Sequence, residues 1–110
     1  MCGRFVAASS PQLLVDRFGV QEETVGEREP DWNVTPRAVV PVVREGPPRP
    51  AHPGDDAGSR PATRVLSPLR WGLVPSWADS PAIGDRMINA RAETVSSTKA
   101  YERAFRKRRC

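Results

Sequence analysis

Ala38-Val39-Val40-Pro41-Val42-Val43-Arg44 is the stretch on which the fold turns. Four valines in seven residues favour extended backbone, because a side chain branched at Cβ packs well on a pleated surface and loses rotamer freedom in a helix. Pro41 has no N–H to give to a ladder, so this strand belongs at a sheet edge or carries a bulge. The segment from Thr63 to Val74 reads as its antiparallel partner. Between the two, residues 45–62 hold too much proline and glycine to build a core and predict a flexible hairpin loop. His52 falls inside that loop, which offers no fixed orientation for a catalytic imidazole.

Upstream, Ser10-Pro11-Gln12-Leu13-Leu14-Val15-Asp16-Arg17-Phe18-Gly19 has an N-cap serine, proline at the first helical position and glycine at the stop. This predicts a short helix with Leu14 and Phe18 on its buried face. The acidic stretch from Gln21 to Asp31 has no clear period and reads as loop. Downstream of Ser97 the pattern is helical again. Ala100, Tyr101, Ala104 and Phe105 make one apolar face, Lys99, Arg103, Arg106 and Lys107 gather opposite, and Ser96 or Ser97 is placed to cap.

The chain has 110 residues, enough for one modest domain. It shows no apolar run long enough to cross a membrane and no basic-then-apolar secretory leader, so a cytoplasmic protein is expected. Its two cysteines, Cys2 and Cys110, stand at opposite ends, a poor basis for a structural disulfide in a reducing compartment. With one histidine and no paired cysteines, the ligands of a structural zinc site are missing, and neither metal nor cofactor is expected. The formal charge is +4, and the whole excess lies in the last ten residues, where five basic side chains face one acidic. Such a block holds phosphates through charge and counterion release, or it is the solvated face of a helix whose C-terminal dipole favours cations.

Cys2 stands directly after the initiator, in Met1-Cys2-Gly3-Arg4-Phe5. Loss of Met1 leaves a thiol and a free α-amine on one residue. An amine with a reference pKa of about 7.7–8.0 condenses with an aldehyde to an imine, and a thiol of about 8.5 then adds to close a five-membered thiazolidine. An internal cysteine cannot do this, because its nitrogen is in a peptide bond. Position alone favours an ordinary small residue, and the rest of the chain must decide.

Two further segments use asparagine, arginine and tryptophan where a plain core would use aliphatics. One is Trp32-Asn33-Val34-Thr35-Pro36-Arg37; the other runs from Arg70-Trp71-Gly72-Leu73-Val74-Pro75-Ser76-Trp77 to Ile88-Asn89-Ala90-Arg91-Ala92-Glu93-Thr94. Taken singly, each Asn reads as a turn or cap, Arg91 as a salt-bridge partner and Trp77 as a half-buried core residue. Taken together with Met-Cys-Gly-Arg-Phe, and in this order, the motifs resemble the SOS-response-associated peptidase family, the abasic-site processing proteins. The resemblance covers nearly the whole chain except the Pro/Gly loop.

The resemblance implies an α+β fold of curved, mostly antiparallel sheets with flanking short helices. It implies a monomer that binds single-stranded DNA carrying abasic sites, in the nucleoid when so bound. The ring-opened sugar aldehyde would be trapped as a thiazolidine on Cys2 after self-processing removes Met1, a peptidase activity joined to cross-linking and lyase-type chemistry. Asn89 would position the sugar beside Cys2, Arg4 and Arg91 would bind flanking phosphates, and Asn33 would shape the pocket. Pro36 and Trp77 would wedge against or stack on neighbouring bases, and Lys99, Arg103 and Arg106 would extend the phosphate track. In that family a glutamate on a later strand and a still later histidine serve the site. This chain stops at Cys110 before either, so an incomplete family domain, truncated at its C-terminal side, is expected. Glu93 belongs to another motif and does not inherit the role. The alternative is a non-catalytic single-strand-binding remnant; an ordinary cysteine peptidase would need a base near Cys2 that His52 does not supply.

Overall fold

A computed structural model of the chain describes residues 2–46 and 63–109. Met1, Cys110 and the proline-rich residues 47–62 with His52 lie outside the described residues. The element order is β1 (Phe5–Ala7), α1 (Pro11–Phe18), β2 (Glu22–Glu23), β3 (Asp31–Val34), β4 (Val39–Glu45), β5 (Arg64–Arg70), a 3-10 helix (Pro81–Arg86) and α2 (Glu102–Lys107). The fold is mixed α and β: a two-stranded sheet of order β1-β3 and a three-stranded sheet of order β2-β5-β4, flanked by short helices.

The valine-rich stretch is β4, and it pairs antiparallel with β5 in unbroken register from Val39↔Arg70 to Glu45↔Arg64. Gly46 N–H donates to the Thr63 carbonyl at 2.7 Å, so the ladder runs two residues into the stretch expected as loop. Pro41 faces Pro68. Neither has an N–H to exchange, so the two occupy a non-hydrogen-bonded position of the antiparallel ladder. Pro41 looks out from an edge strand, and Pro68 lies beyond the two residues of β5 that pair with β2.

Part of the acidic stretch is not loop. Glu22 and Glu23 pair in parallel with Val65 and Leu66, and Gln21 and Thr24 on either side donate their N–H groups to the carbonyls of Arg64 and Leu66. No hydrophobic period announces β2, because backbone bonds hold it while its side chains stay in solvent. Covered by strands on both edges, β5 buries Val65, Leu66 and Ser67 in succession, and with Val34 and Val40 these form a small core. The Ser67 hydroxyl, buried there, accepts from Arg44 Nε at 3.1 Å.

Helix α1 has the expected ends. Ser10 Oγ accepts from the Leu13 N–H, and Gly19 closes the last turn in the left-handed region at φ 59°. Helix α2 is shorter than expected and begins at Glu102. Residues 92–97 form turns, and the hydroxyls of Ser97 and Thr98 bond back to the Thr94 carbonyl instead of capping a helix. Tyr101 occupies the cap position without a side-chain bond to the helix.

The turn Thr35-Pro36-Arg37-Ala38 leads into β4, with Arg37 at φ 76° and the Ala38 N–H on the Thr35 carbonyl. Proline first and positive φ second make this a type II turn, usually built with glycine at the second place. Gly72 sits at φ 133°, and a Cβ there would run into the Gly84 carbonyl oxygen. This backbone contact draws the 3-10 helix onto the end of β5, and the Leu73 N–H on the Met87 carbonyl continues it towards Asn89. Gly19→Ala should cost about 1 kcal/mol, since the left-handed φ is strained but the space is open. Gly72→Ala should cost about 2 kcal/mol or more through the backbone clash, a difference readable as separate shifts of the urea midpoint.

Candidate functional site

Strand β1 carries the N-terminus to β3, with Phe5 opposite Val34 and an irregularity in register before Ala7 pairs with Asp31. Side chains alternate across a strand, so while Val34 is buried, Asn33 turns the other way. There its Oδ1 accepts from Arg4 Nη1 at 3.0 Å, and Asp31 Oδ1 accepts the Asn33 N–H at 2.9 Å. The two residues expected to shape the pocket and bind phosphate are thus joined directly.

Asn89 arrives from the other side. Its side-chain Nδ2 donates to the Cys2 carbonyl at 2.9 Å, between residues 87 apart in sequence. Asn89 is half-buried; Cys2 is exposed and in no disulfide. The backbone that presents Asn89 is bonded at two consecutive carbonyls. Trp71 Nε1 donates to the Ile88 carbonyl at 3.0 Å, and the Tyr101 hydroxyl donates to the Asn89 carbonyl at 2.8 Å. Trp71 also meets Phe5 edge to face, ring centroids 5.1 Å apart at 72°. Sequence reading placed Tyr101 on an apolar helix face and gave Trp71 no role; only their polar tips, which buried aromatic rings must satisfy, hinted otherwise.

The other expected site residues lie on separate segments of the chain. Pro36 is half-buried in the type II turn, and Trp77 is 55% exposed, more open than the half-buried core residue it resembles in isolation. Arg91 is exposed and its carbonyl accepts from the Thr94 and Val95 N–H groups; no ion pair holds its side chain among the described residues. Lys99, Arg103 and Arg106 are exposed. Arg103 Nη1 lies 3.5 Å from Ser76 Oγ, which brings α2 beside the segment bearing Trp77. Arg106 pairs with Glu102 one helical turn away at 3.1 Å. Trp32, 71% exposed, is an aromatic surface that the sequence motif contains but that received no role.

One carboxylate organises the flank. Asp85 on the 3-10 helix pairs with Arg70 at 2.6 Å and with Arg37 at 3.4 Å, tying the type II turn to the end of β5. At this exposure the pairs contribute tenths of a kcal/mol, so they orient more than they stabilise. Among the described residues no cluster of three or more metal-ligating side chains occurs, and no helix is long and apolar enough to cross a membrane.

Comparison with known proteins is consistent across the chain. The family model of SOS response associated peptidase (SRAP) matches residues 1–110. Over the full length of this chain, identity is 34% to the abasic site processing protein YoaM of Bacillus subtilis (strain 168) and 32% to YoqW of Bacillus phage SPbeta, each 43% covered. The abasic site processing protein HMCES of Mus musculus is 28% identical, with 33% of its length covered. The chain therefore spans less than half the length of these curated relatives. No solved structure matches it.

Replacing Asn89 by Leu should remove the bond to Cys2 at nearly constant volume. The expected outcome is a loosened N-terminus: the backbone order parameter of Gly3 falls towards about 0.6, while that of β5 is unchanged. An unaltered Gly3 would show that Asn89 does not seat Cys2.

Proposed function

Because the chain belongs to the SOS response associated peptidase family, we propose that it processes abasic sites by binding single-stranded DNA and trapping the sugar aldehyde on Cys2. The observation that carries this is the Asn89 amide on the Cys2 carbonyl at 2.9 Å. It seats the residue whose amine and thiol must both reach one carbon. The relatives named above as abasic site processing proteins support the same reading.

The chemistry balances without a cofactor. Hydrolysis of the Met1–Cys2 peptide frees the α-amine. That amine adds to the aldehyde carbon of the opened sugar and expels water, leaving an imine. The Cys2 sulfur then bonds to the imine carbon, the π electrons move to nitrogen, and nitrogen takes up the thiol's proton. The product is a thiazolidine with a new C–N and a new C–S bond. Asn89 would hold the Cys2 carbonyl aside and so orient the amine and thiol towards one reacting carbon.

Binding would draw on the exposed cations. Arg4, one of whose five donors goes to Asn33, would give others to a phosphate oxygen, and Arg91 would do so across the site. Lys99, in the turn before α2, and Arg103 and Arg106 on α2 would continue the contact. Trp77, with Pro36 as a wedge, offers the sequence-tolerant stacking that single-strand binding uses, about 1–3 kcal/mol per base.

A Met1-free preparation mixed with a single-stranded oligonucleotide bearing one abasic site should give a heat-stable adduct, its mass the sum of the two less one water. Cys2→Ala should give none while keeping salt-sensitive binding. Failure of the folded wild type to form adduct rejects the trapping step. Charge reversal at Lys99 or Arg103 should lower the slope of log affinity against log salt by about 0.7 per lost phosphate contact; an unchanged slope takes that residue off the binding path.

A further inference from the structure

The geometry points to Trp71 and Tyr101 as positioning residues of the trapping site, acting through Asn89. The inference rests on the trapping reading and goes beyond it, since it concerns two side chains whose bonds go to the backbone that carries Asn89. Asn89 reaches Cys2 with a side-chain amide, and an amide donor is only as well placed as the backbone from which it projects. That backbone is the unpaired segment after the 3-10 helix, outside both sheets. Ladder bonds do not fix it. Two aromatic side chains do.

The Trp71 indole holds the Ile88 carbonyl at 3.0 Å and the Tyr101 hydroxyl holds the Asn89 carbonyl at 2.8 Å. Two successive carbonyls held by donors from two different parts of the chain oppose rotation of the peptide between them. The Asn89 side chain consequently has a fixed root. Trp71 has a second contact, the 72° edge-to-face meeting with Phe5, three residues from Cys2. One ring therefore touches both walls of the site, the strand that carries the nucleophile and the segment that carries its anchor. Trp71 is itself held from the sheet, because its N–H donates to the Ala38 carbonyl at 2.9 Å and its carbonyl accepts from Arg37 at 3.1 Å. Tyr101 does the same from the other end: the residue at the start of the basic helix α2 is bonded to the anchor of the site. DNA bound on that helix and the Cys2 pocket thus share one rigid connection.

Tyr101→Phe removes only the hydroxyl, and Trp71→Phe removes the indole N–H while keeping an aromatic edge near Phe5. With a single-stranded oligonucleotide bearing one abasic site, at saturation, the adduct-forming rate should fall about 3- to 10-fold in Tyr101→Phe. It should fall at least as far in Trp71→Phe. The dissociation constant for the same oligonucleotide without the abasic site should stay within about twofold, which a general loss of structure would not permit. Unchanged rates in both variants, or a dissociation constant that weakens in step with the rate, overturns the assignment. Solvent exchange of the Asn89 side-chain amide protons, followed by NMR on the protein without DNA, is the second measurement. Faster exchange in Tyr101→Phe than in wild type upholds the assignment, and identical exchange overturns it. If the wild type forms no adduct, the trapping reading fails, and the amide exchange alone decides whether Tyr101 positions Asn89.

Discussion

Cys2 precedes β1 and belongs to neither sheet, so its placement depends on contacts with distant parts of the chain. Bringing Cys2 to Asn89 closes a stretch of 87 residues. Loop-closure scaling puts the entropy of such a contact at about 4 kcal/mol, whereas one hydrogen bond contributes about 1 kcal/mol net. The bond therefore reports an assembled frame and cannot create it. The frame is the β1–β3 pairing, the Phe5–Trp71 contact and the close approach of Gly72 to Gly84, which together deliver both partners to the same place.

Among the described residues the buried core that supports this frame is small: Val34, Val40, Val65 and Leu66 are its hydrophobic members. Much apolar surface stays outside it, including Phe18, Leu13, Val39 and Leu69. Backbone pairing joins the strands around it, through the unbroken β4–β5 register and the parallel addition of β2. Polar bonds finish the work at buried positions, as where Arg44 satisfies Ser67 and Trp71 satisfies the Ile88 carbonyl. In a structure of this kind each such bond matters more than its average value suggests, because an unmet buried polar group costs about 1–3 kcal/mol.

Local chemistry made several elements readable. The caps of α1, the edge placement of Pro41 and the pairing of the valine-rich strand with Arg64–Arg70, inside the expected Thr63–Val74 stretch, each follow from local residue chemistry. The start of the C-terminal helix was misplaced because the apolar and basic spacing continues upstream through a run of serines and threonines whose hydroxyls prefer to bond their own backbone. Strand β2 is not legible in the sequence because two exposed glutamates carry no hydrophobic pattern, and its existence depends on β5, 43 residues later, where the Thr24 hydroxyl also bonds. Arg37 is silent for a different reason: no local pattern marks a non-glycine residue at positive φ.

The sequence by itself determined the family and singled out Cys2 as the proposed reactive residue. Only a cysteine placed to become N-terminal can offer an amine and a thiol to one aldehyde, and four motifs in fixed order mark the residues around it. What the tertiary structure decided is which of those residues meet. Asn33 closing on Arg4, Asn89 on Cys2, and the Trp71 and Tyr101 donors on two adjacent carbonyls join parts of the chain that sequence distance separates. Such contacts obey no local periodicity, because they arise from how β5, the 3-10 helix and α2 pack after each has formed.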